Sequence, residues 1–519
     1  MIIQMNESKE RKVGIILSYF SLIATTIIQL IYTPFLIKMM GQSEYGLYSL
    51  VYSVIGYLTV LDLGFGNAII VYTTKFRAQK KYEEEKKLYG MFKIVFTVIG
   101  IIAFLIGIIV FFNINNIFGN NMTSEELEKM RIMMLILSFN LFITFVFSIY
   151  SSIITAYEKF SYQKIMAILN TILKPLIMIP LLFLGYKSIA MSIVVTLVNL
   201  FVLISNYLYC KKKLNITIKY YGFDNILFKQ ILGYSFWIFL TTIVDKVNWS
   251  VDQTILGIVS GTIAVSIYSV ATNFNTMFIN LSTAISGVML PKVTKMVANE
   301  ATNQELTNEF IKVGRIQFYV MFLITTGFIL VGKEFIIWWV GTNFVESYYV
   351  TLFLIIPAFF SLIQNLGLSI MQAKNKFKFK SLSTFIMSIF NIVISIALAK
   401  RYGAVGAAAG TTISLVICNI ILINIYYYKV IKLNILKFWK DIAIMILKMF
   451  IPLFITVFLM KIFKGTGLIS VIIYGLIYTL LYAVTAYTIV MNKYEKNLVK
   501  SIFIKIRKIW GDKFEKNIY

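Results

Sequence analysis

Fourteen apolar stretches run along the chain, separated by short polar gaps. A helix needs roughly 20 apolar residues to cross a hydrocarbon core about 30 Å thick. The pattern therefore predicts an all-α, polytopic membrane protein with 14 transmembrane helices. The predicted spans are residues 13–37, 46–74, 90–112, 132–154, 165–184, 188–209, 231–258, 263–290, 313–331, 348–372, 381–399, 404–428, 441–460 and 467–491.

Lysine and arginine residues are concentrated in every second gap, where each gap takes the number of the span before it. Of the 49 residues, 35 lie in the N-terminus, the even-numbered gaps and the C-terminal tail. Nine lie in the odd-numbered gaps, and five lie inside spans. The positive-inside rule then places both termini in the cytoplasm. The net charge of +26 is explained by this topology and by attraction to anionic lipid, so we expect no nucleic-acid partner.

An internal repeat relates the two halves of the chain at a constant offset of 216 residues. Residues 25–27 and 52–54 reappear as residues 241–243 and 268–270. The offset maps span 1 onto span 7 and preserves its orientation, which predicts two parallel six-helix lobes. The predicted divisions are an N-lobe at 1–210, a C-lobe at 211–430, spans 13 and 14 at 431–491, and a basic amphipathic tail at 492–519 on the inner leaflet.

Polar residues cluster in the spans that open each lobe. Charged side chains that face lipid cost several kcal/mol, so these residues should face protein or water. Span 7 carries Asp245, Lys246, Asn248, Trp249, Asp252 and Gln253, span 8 carries Asn273 and Asn280, and spans 1 and 2 carry Gln29, Asp62 and Asn67. We interpret them as the wall of a hydrated cavity. The alternative is a set of interhelical salt bridges and hydrogen bonds that fix packing.

Two further intramembrane cations, Lys174 and Arg315, complete the candidate cavity. For Arg315, near a span end, the alternative is snorkelling to the interface. The candidates for ion coupling are Asp62, Asp245 and Asp252, because a buried carboxylate can carry a proton. The driving ion is H⁺ or Na⁺, and we expect no cofactor. The chain has no histidine and two cysteines, so we expect no metal site.

An enzyme is disfavoured by the gaps. The outer gaps are short and carry no catalytic constellation, and the chain contains no Walker A motif. A membrane-embedded glycan-modifying enzyme is therefore the weakest alternative.

Residues 34–54 and 61–67 resemble the start of the Wzx-type polysaccharide flippases, in the multidrug/oligosaccharidyl-lipid/polysaccharide exporter superfamily. The matching motifs are a Gly41 to Gly46 turn between spans 1 and 2 and the Asp62-Leu63-Gly64 step. The segments 252–257 and 264–269 resemble the second-lobe counterpart.

This resemblance implies a V-shaped, two-lobe transporter in the bacterial cytoplasmic membrane. Its substrate would be an oligosaccharide on undecaprenyl diphosphate, moved by alternating access for surface polysaccharide such as O-antigen or capsule. Lys246, Lys174 and Arg315 would engage the diphosphate, while the amides and Trp249 would meet sugar. Membrane lipids and polysaccharide polymerase or assembly proteins are the expected partners. An ion-coupled multidrug exporter of the same fold is the alternative.

Overall fold

The computed structural model describes residues 2–286, 289–374, 376–463, 465 and 467–501. Within these ranges the chain is almost entirely helical and contains no β-strand. The α-helices are α1 (Ile2–Met40), α2 (Gln42–Leu58), α3 (Phe65–Ala78), α4 (Tyr82–Phe118), α5 (Ser124–Ala156), α6 (Phe160–Phe183), α7 (Ser188–Lys212), α8 (Asn225–Val259), α9 (Gly261–Ser286), α10 (Leu290–Ala298), α11 (Asn303–Val340), α12 (Val345–Leu362), α13 (Asn365–Ala373), α14 (Lys378–Leu415), α15 (Ile423–Tyr426), α16 (Ile435–Ile462) and α17 (Gly467–Thr485). This confirms the all-α prediction.

Eleven stretches of the described residues are long and apolar enough to cross a membrane. One of them, Lys378–Ile431, contains a kink at Gly403 and covers predicted spans 11 and 12. Helices α8 and α9 coincide with predicted spans 7 and 8. The chain is thus a multi-pass membrane protein, while the count of fourteen spans stays a prediction.

The second span is a broken helix. Helix α2 passes into a 3₁₀ turn at Thr59–Asp62, and α3 begins only at Phe65. Between them Leu63 and Gly64 both adopt positive φ angles, of 52° and 75°. A left-handed residue ends the helical ladder and frees backbone N–H groups, which must find other partners inside a membrane.

Contacts divide the chain into two compact units. The first unit comprises Met1–Ala271 and Thr384–Ser414, and the second comprises Thr272–Ser383 and Leu415–Tyr519. In the first unit α5 packs against α4 and α7, α1 packs against α6, and α2 packs against α8. In the second unit α11 packs against α12, α16 and α17. The lobes predicted at 1–210 and 211–430 stay a prediction.

Glycines with positive φ angles mark several bends of the chain. Gly41 lies between α1 and α2, Gly185 lies between α6 and α7, and Gly261 is the first residue of α9. Gly403 kinks α14. The internal repeat stays a prediction.

Aromatic side chains fill both cores. In the first unit Phe65, Phe92 and Phe96 are fully buried and contact one another edge to face or tilted. In the second unit Phe310 and Phe438 have ring centroids 4.7 Å apart. Such pairs bury a large apolar area in a fixed geometry, which helps to hold the helices that carry the polar residues.

Candidate transport site

The break in the second span lies against α8. In the first unit, α8 packs on the Thr59–Asp62 turn and on α3. The carboxyl of Asp62 lies near the backbone N–H groups of Gly64 and Gly66 at the start of α3. It is therefore close to donors that the break leaves without helical partners. The role of Asp62 in ion coupling stays a prediction.

Lys246 on α8 points towards α2. Its Nζ would lie 3.9 Å from a Cβ placed on Gly56, so the ammonium group lies beside the backbone of α2. Among the described side chains, no carboxylate lies within ion-pair distance of Lys246. A half-buried cation without an ion-pair partner can bind an anion.

Asp252, two turns further along α8, is enclosed in a polar cluster and is 1% exposed. Its Oδ2 accepts hydrogen bonds from the hydroxyl of Tyr268 on α9 and from Thr411 Oγ1 on α14, the latter at 2.5 Å. The Asn391 side chain accepts hydrogen bonds from Thr411 at 3.3 Å and from Ser395 at 3.0 Å. All five residues belong to the first unit.

The second oxygen of Asp252, Oδ1, is buried and has no hydrogen-bond partner. An ionised carboxylate is costly in a dry interior unless it is paired, whereas a protonated one can donate a hydrogen bond. The cluster surrounds this carboxyl with oxygen atoms of hydroxyl and amide groups, which suit a proton or a small hard cation. The described residues contain no group of three or more His, Cys, Asp or Glu residues that could hold a metal ion.

Four members of this cluster were not predicted as site residues from the sequence: Asn391, Ser395, Thr411 and Tyr268. Asn391 and Ser395 are spaced i, i+4, so they share one face of predicted span 11, which also carries Ser388 and Thr384. A search for polar i, i+4 pairs within spans would have found them. Their connection to Asp252 follows only from the packing of α14 on α8.

A second polar network joins the ends of α2, α5 and α9 that face the odd-numbered gaps. Glu126 Oε1 accepts hydrogen bonds from Ser43 at 2.5 Å and from Thr262 at 2.6 Å. The Ser43 and Thr262 hydroxyl oxygens are 3.2 Å apart. A Cβ on Gly46 would lie only 1.9 Å from the carbonyl oxygen of Thr262, so glycine is required for this close approach. These three helices are therefore tightly packed at this end.

The remaining predicted residues of the first unit are dispersed. Gln253 donates a hydrogen bond to Ser269 at 3.2 Å, which links α8 to α9. Gln29 and Lys174 are half-buried on α1 and α6, and Asn67 is exposed on α3. The side chains of Asp245, Asn248 and Trp249 lie outside the described part of the structure, although their backbone is helical.

In the second unit, Asn273 is half-buried and Asn280 is exposed, both on α9. Arg315 on α11 forms a two-pronged ion pair with Glu495, with Nε–Oε1 and Nη2–Oε2 distances of 2.6 and 2.9 Å. Arg315 also donates to the carbonyl of Val490 at 3.3 Å. Arg315 thus anchors the segment after α17, and its assignment to substrate stays a prediction.

The side chain of Glu495 is 4% exposed, and Glu495 helps to hold the segment that follows α17 against α11. Burial alone would raise the pKa of this carboxyl. The hydrogen bonds from Arg315 and from the backbone of Asn492 outweigh burial and hold the pKa below its usual value. The pair therefore stabilises the fold above the ordinary glutamate pKa of about 4.3, and this contribution is lost as the pH falls through the lowered pKa.

Glu495→Gln is expected to lower the free energy of unfolding by roughly 3 kcal/mol, because it leaves a largely buried guanidinium without its counter-charge. Thermal unfolding in detergent measures the effect. The matched control is Glu309→Gln, whose ion pair with Lys292 is half-exposed and should contribute less than about 1 kcal/mol. Equal losses for the two variants would contradict a specific role for the Arg315 pair.

A family model described as "Polysaccharide biosynthesis protein" matches residues 12–297, more than half of the chain. The chain belongs to this family. The match includes both segments on which the resemblance to polysaccharide flippases rests, and it confirms that resemblance. It also includes the broken second span, all of α8 and the network around Glu126.

Individual relatives agree with this family. The chain is 21% identical over 406 residues to the putative O-antigen transporter of Shigella flexneri, in a match that covers 76% of this chain and 92% of that protein. Its structure is similar to that of the lipid II flippase MurJ in an inward closed conformation, with a TM-score of 0.72, 18% identity, and coverage of 94% and 99%. An inward-facing multidrug resistance MATE family transporter of the MOP superfamily gives a TM-score of 0.63, with 14% identity and coverage of 77% and 96%.

The fold of this family member is therefore the fold of these transporters. The relatives are transporters and a flippase, which confirms the prediction of a membrane transport protein and not an enzyme.

Proposed function

We propose that this protein moves an oligosaccharide linked to undecaprenyl diphosphate across the bacterial cytoplasmic membrane by alternating access, for surface polysaccharide synthesis. Both termini face the cytoplasm. The family match to residues 12–297 supports this proposal most directly. The O-antigen transporter relative supports a surface-glycan substrate, and the flippase-like fold supports a lipid-linked one.

The polar residues of spans 2 and 7 give this proposal its chemistry. A sugar–diphosphate headgroup cannot cross hydrocarbon unaided, so the protein must supply polar partners. Lys246, which has no ion-pair partner among the described side chains, is placed to bind diphosphate oxygens. Amide side chains such as Gln253 and Gln29 can both donate to and accept from sugar hydroxyls.

The cycle is driven by H⁺ or Na⁺ at Asp252. The buried Oδ1 of this carboxyl, which has no hydrogen-bond partner, is the observation that favours Asp252. A proton or sodium ion bound by Asp252 would change the hydrogen bonds that join α8 to α9 and α14. Ion binding would thereby bias the positions of these helices, as a coupling site requires.

A deletion strain is expected to accumulate carrier-linked glycan on the cytoplasmic side and to lose surface glycan. Restoring the Lys246→Ala variant should return at most about one tenth of the wild-type transport, because a charge-assisted hydrogen bond to phosphate contributes about 1.5–3 kcal/mol. The measurement is glycan analysis of the cell surface and of the lipid-linked pool.

Lys229→Ala is the matched control, since Lys229 is an exposed lysine on the same helix. Normal surface glycan in the deletion strain would overturn the proposed function. Full transport by Lys246→Ala would overturn the assignment of Lys246 to substrate binding and leave the proposed function standing.

An ion-coupled multidrug exporter is the second candidate, and the similarity of the fold to a MATE family transporter favours it. The same deletion strain separates the two functions. Increased drug sensitivity together with unchanged surface glycan would identify an exporter.

A further inference from the structure

Two adjoining cavities lie at the lysine-rich end of the second unit. The first is an apolar groove of about 920 Å³ between α11, α17 and the segment that follows α17. Its wall includes Leu323 and Ile324 on one side and Ala483 and Val484 on the other, with Lys500 at its edge.

The second cavity, of about 320 Å³, is polar and lies beyond the Arg315–Glu495 pair. Lys312 on α11 and Lys437 on α16 line it, together with Asp441 and Asn492. Among the described residues, neither lysine forms an ion pair with a carboxylate. Lys312 Nζ instead lies 3.9 Å from the ring centroid of Tyr494. The cavity therefore presents two ammonium groups that remain available to an anion.

The Arg315–Glu495 pair connects the two cavities. Arg315 lines the polar cavity and Tyr319, one turn along α11, lines the apolar groove, while Glu495 accepts hydrogen bonds from both. Glu495 thus fixes the segment that supplies Asn492 to one cavity and Val499 to the other. The two cavities share one wall, built from α11 and this segment.

The dimensions match one lipid in one leaflet. Ile324 lies just over three turns after Lys312 on α11, which corresponds to a rise of about 18 Å along the helix. Half of a hydrocarbon core is about 15 Å thick. A headgroup phosphate beside Lys312 and Lys437 would therefore place an acyl chain along the groove. An aqueous ligand would have no use for the apolar part.

We propose that α11, α16, α17 and residues 492–501 form a binding site for an anionic phospholipid of the membrane. Lys312 and Lys437 bind its phosphate-containing headgroup, and one acyl chain occupies the apolar groove. The lipid would stabilise the contact of the C-terminal segment with α11. The site does not depend on the identity of the transported substrate.

Native mass spectrometry of the purified protein tests the site, using phosphatidylglycerol and phosphatidylcholine with identical acyl chains. At low salt we expect the double variant Lys312→Ala/Lys437→Ala to bind phosphatidylglycerol roughly thirtyfold more weakly. Its binding of phosphatidylcholine should change little. Ala483→Trp should weaken binding of both lipids, because it fills the groove without altering charge.

Lys440→Ala is the matched control: it removes one exposed lysine from the same turn region of α16 but not from the cavity. Its phosphatidylglycerol affinity should equal that of the wild type. Monodisperse size-exclusion profiles establish that each variant is folded. Equal wild-type affinity for the two phospholipids would overturn the proposal. So would retention of undecaprenyl phosphate, but not phosphatidylglycerol, since the groove would then belong to the carrier lipid.

Discussion

Asp252→Asn is expected to reduce transport at least about tenfold. A loss of this size lies within the effect of one binding site on another, which is typically about 5- to 150-fold. Asparagine keeps one oxygen to accept the hydrogen bonds of Tyr268 and Thr411. It also has nearly the same volume, so the fold should be retained. It places an NH₂ group, however, where Oδ1 now has no partner. The amide of the variant neither titrates nor carries a negative charge that would attract a cation. The driving ion therefore no longer changes the hydrogen bonds of the cluster.

The measurement is surface glycan in the deletion strain that carries the variant. Asp224→Asn is the matched control, because Asp224 caps the same helix and asparagine caps equally well. The driving ion is identified by comparing transport in proteoliposomes of the wild type under an imposed H⁺ gradient and under an imposed Na⁺ gradient. Wild-type amounts of surface glycan with Asp252→Asn would exclude Asp252 as the coupling site and leave the flippase function standing.

The broken second span shows how far the sequence alone can go. The step Asp62-Leu63-Gly64, with Gly66 close behind, marks a position where a membrane helix loses its regular hydrogen bonds. The structure places the break at Leu63 and Gly64, directly after Asp62. This feature could be predicted because its cause lies within one short run of consecutive residues.

The partners of the charged side chains could not be predicted, because they are distant in sequence. Thr411 lies 159 residues after Asp252, and Glu495 lies 180 residues after Arg315. Each partner is one of many polar residues at a plausible depth, and packing alone selects it. The sequence indicated snorkelling as the alternative for Arg315, whereas the structure pairs it with Glu495. Local periodicity identifies which faces are polar and does not identify what they contact.

Covalently joining α2 to α9 should abolish transport. Alternating access requires helices of the two predicted lobes to separate at the end now held by Glu126. Ser43 and Thr262 come from the two halves of the repeat, and their hydroxyl oxygens are 3.2 Å apart. Ser43→Cys together with Thr262→Cys should therefore form a disulfide with little backbone movement. Under oxidising conditions we expect no detectable surface glycan, and a reductant should restore it.

The native Cys210 and Cys418, both buried, are replaced by alanine in the background for this experiment. A protease site inserted within residues 213–224 reports the cross-link, because the two fragments stay together only when it has formed. The controls are the single variants Ser43→Cys and Thr262→Cys, which cannot form this cross-link and should keep transport under the same oxidising conditions. Full transport by the oxidised Ser43–Thr262 pair would show that α2 and α9 need not separate during the cycle, and alternating access at this end would have to be abandoned.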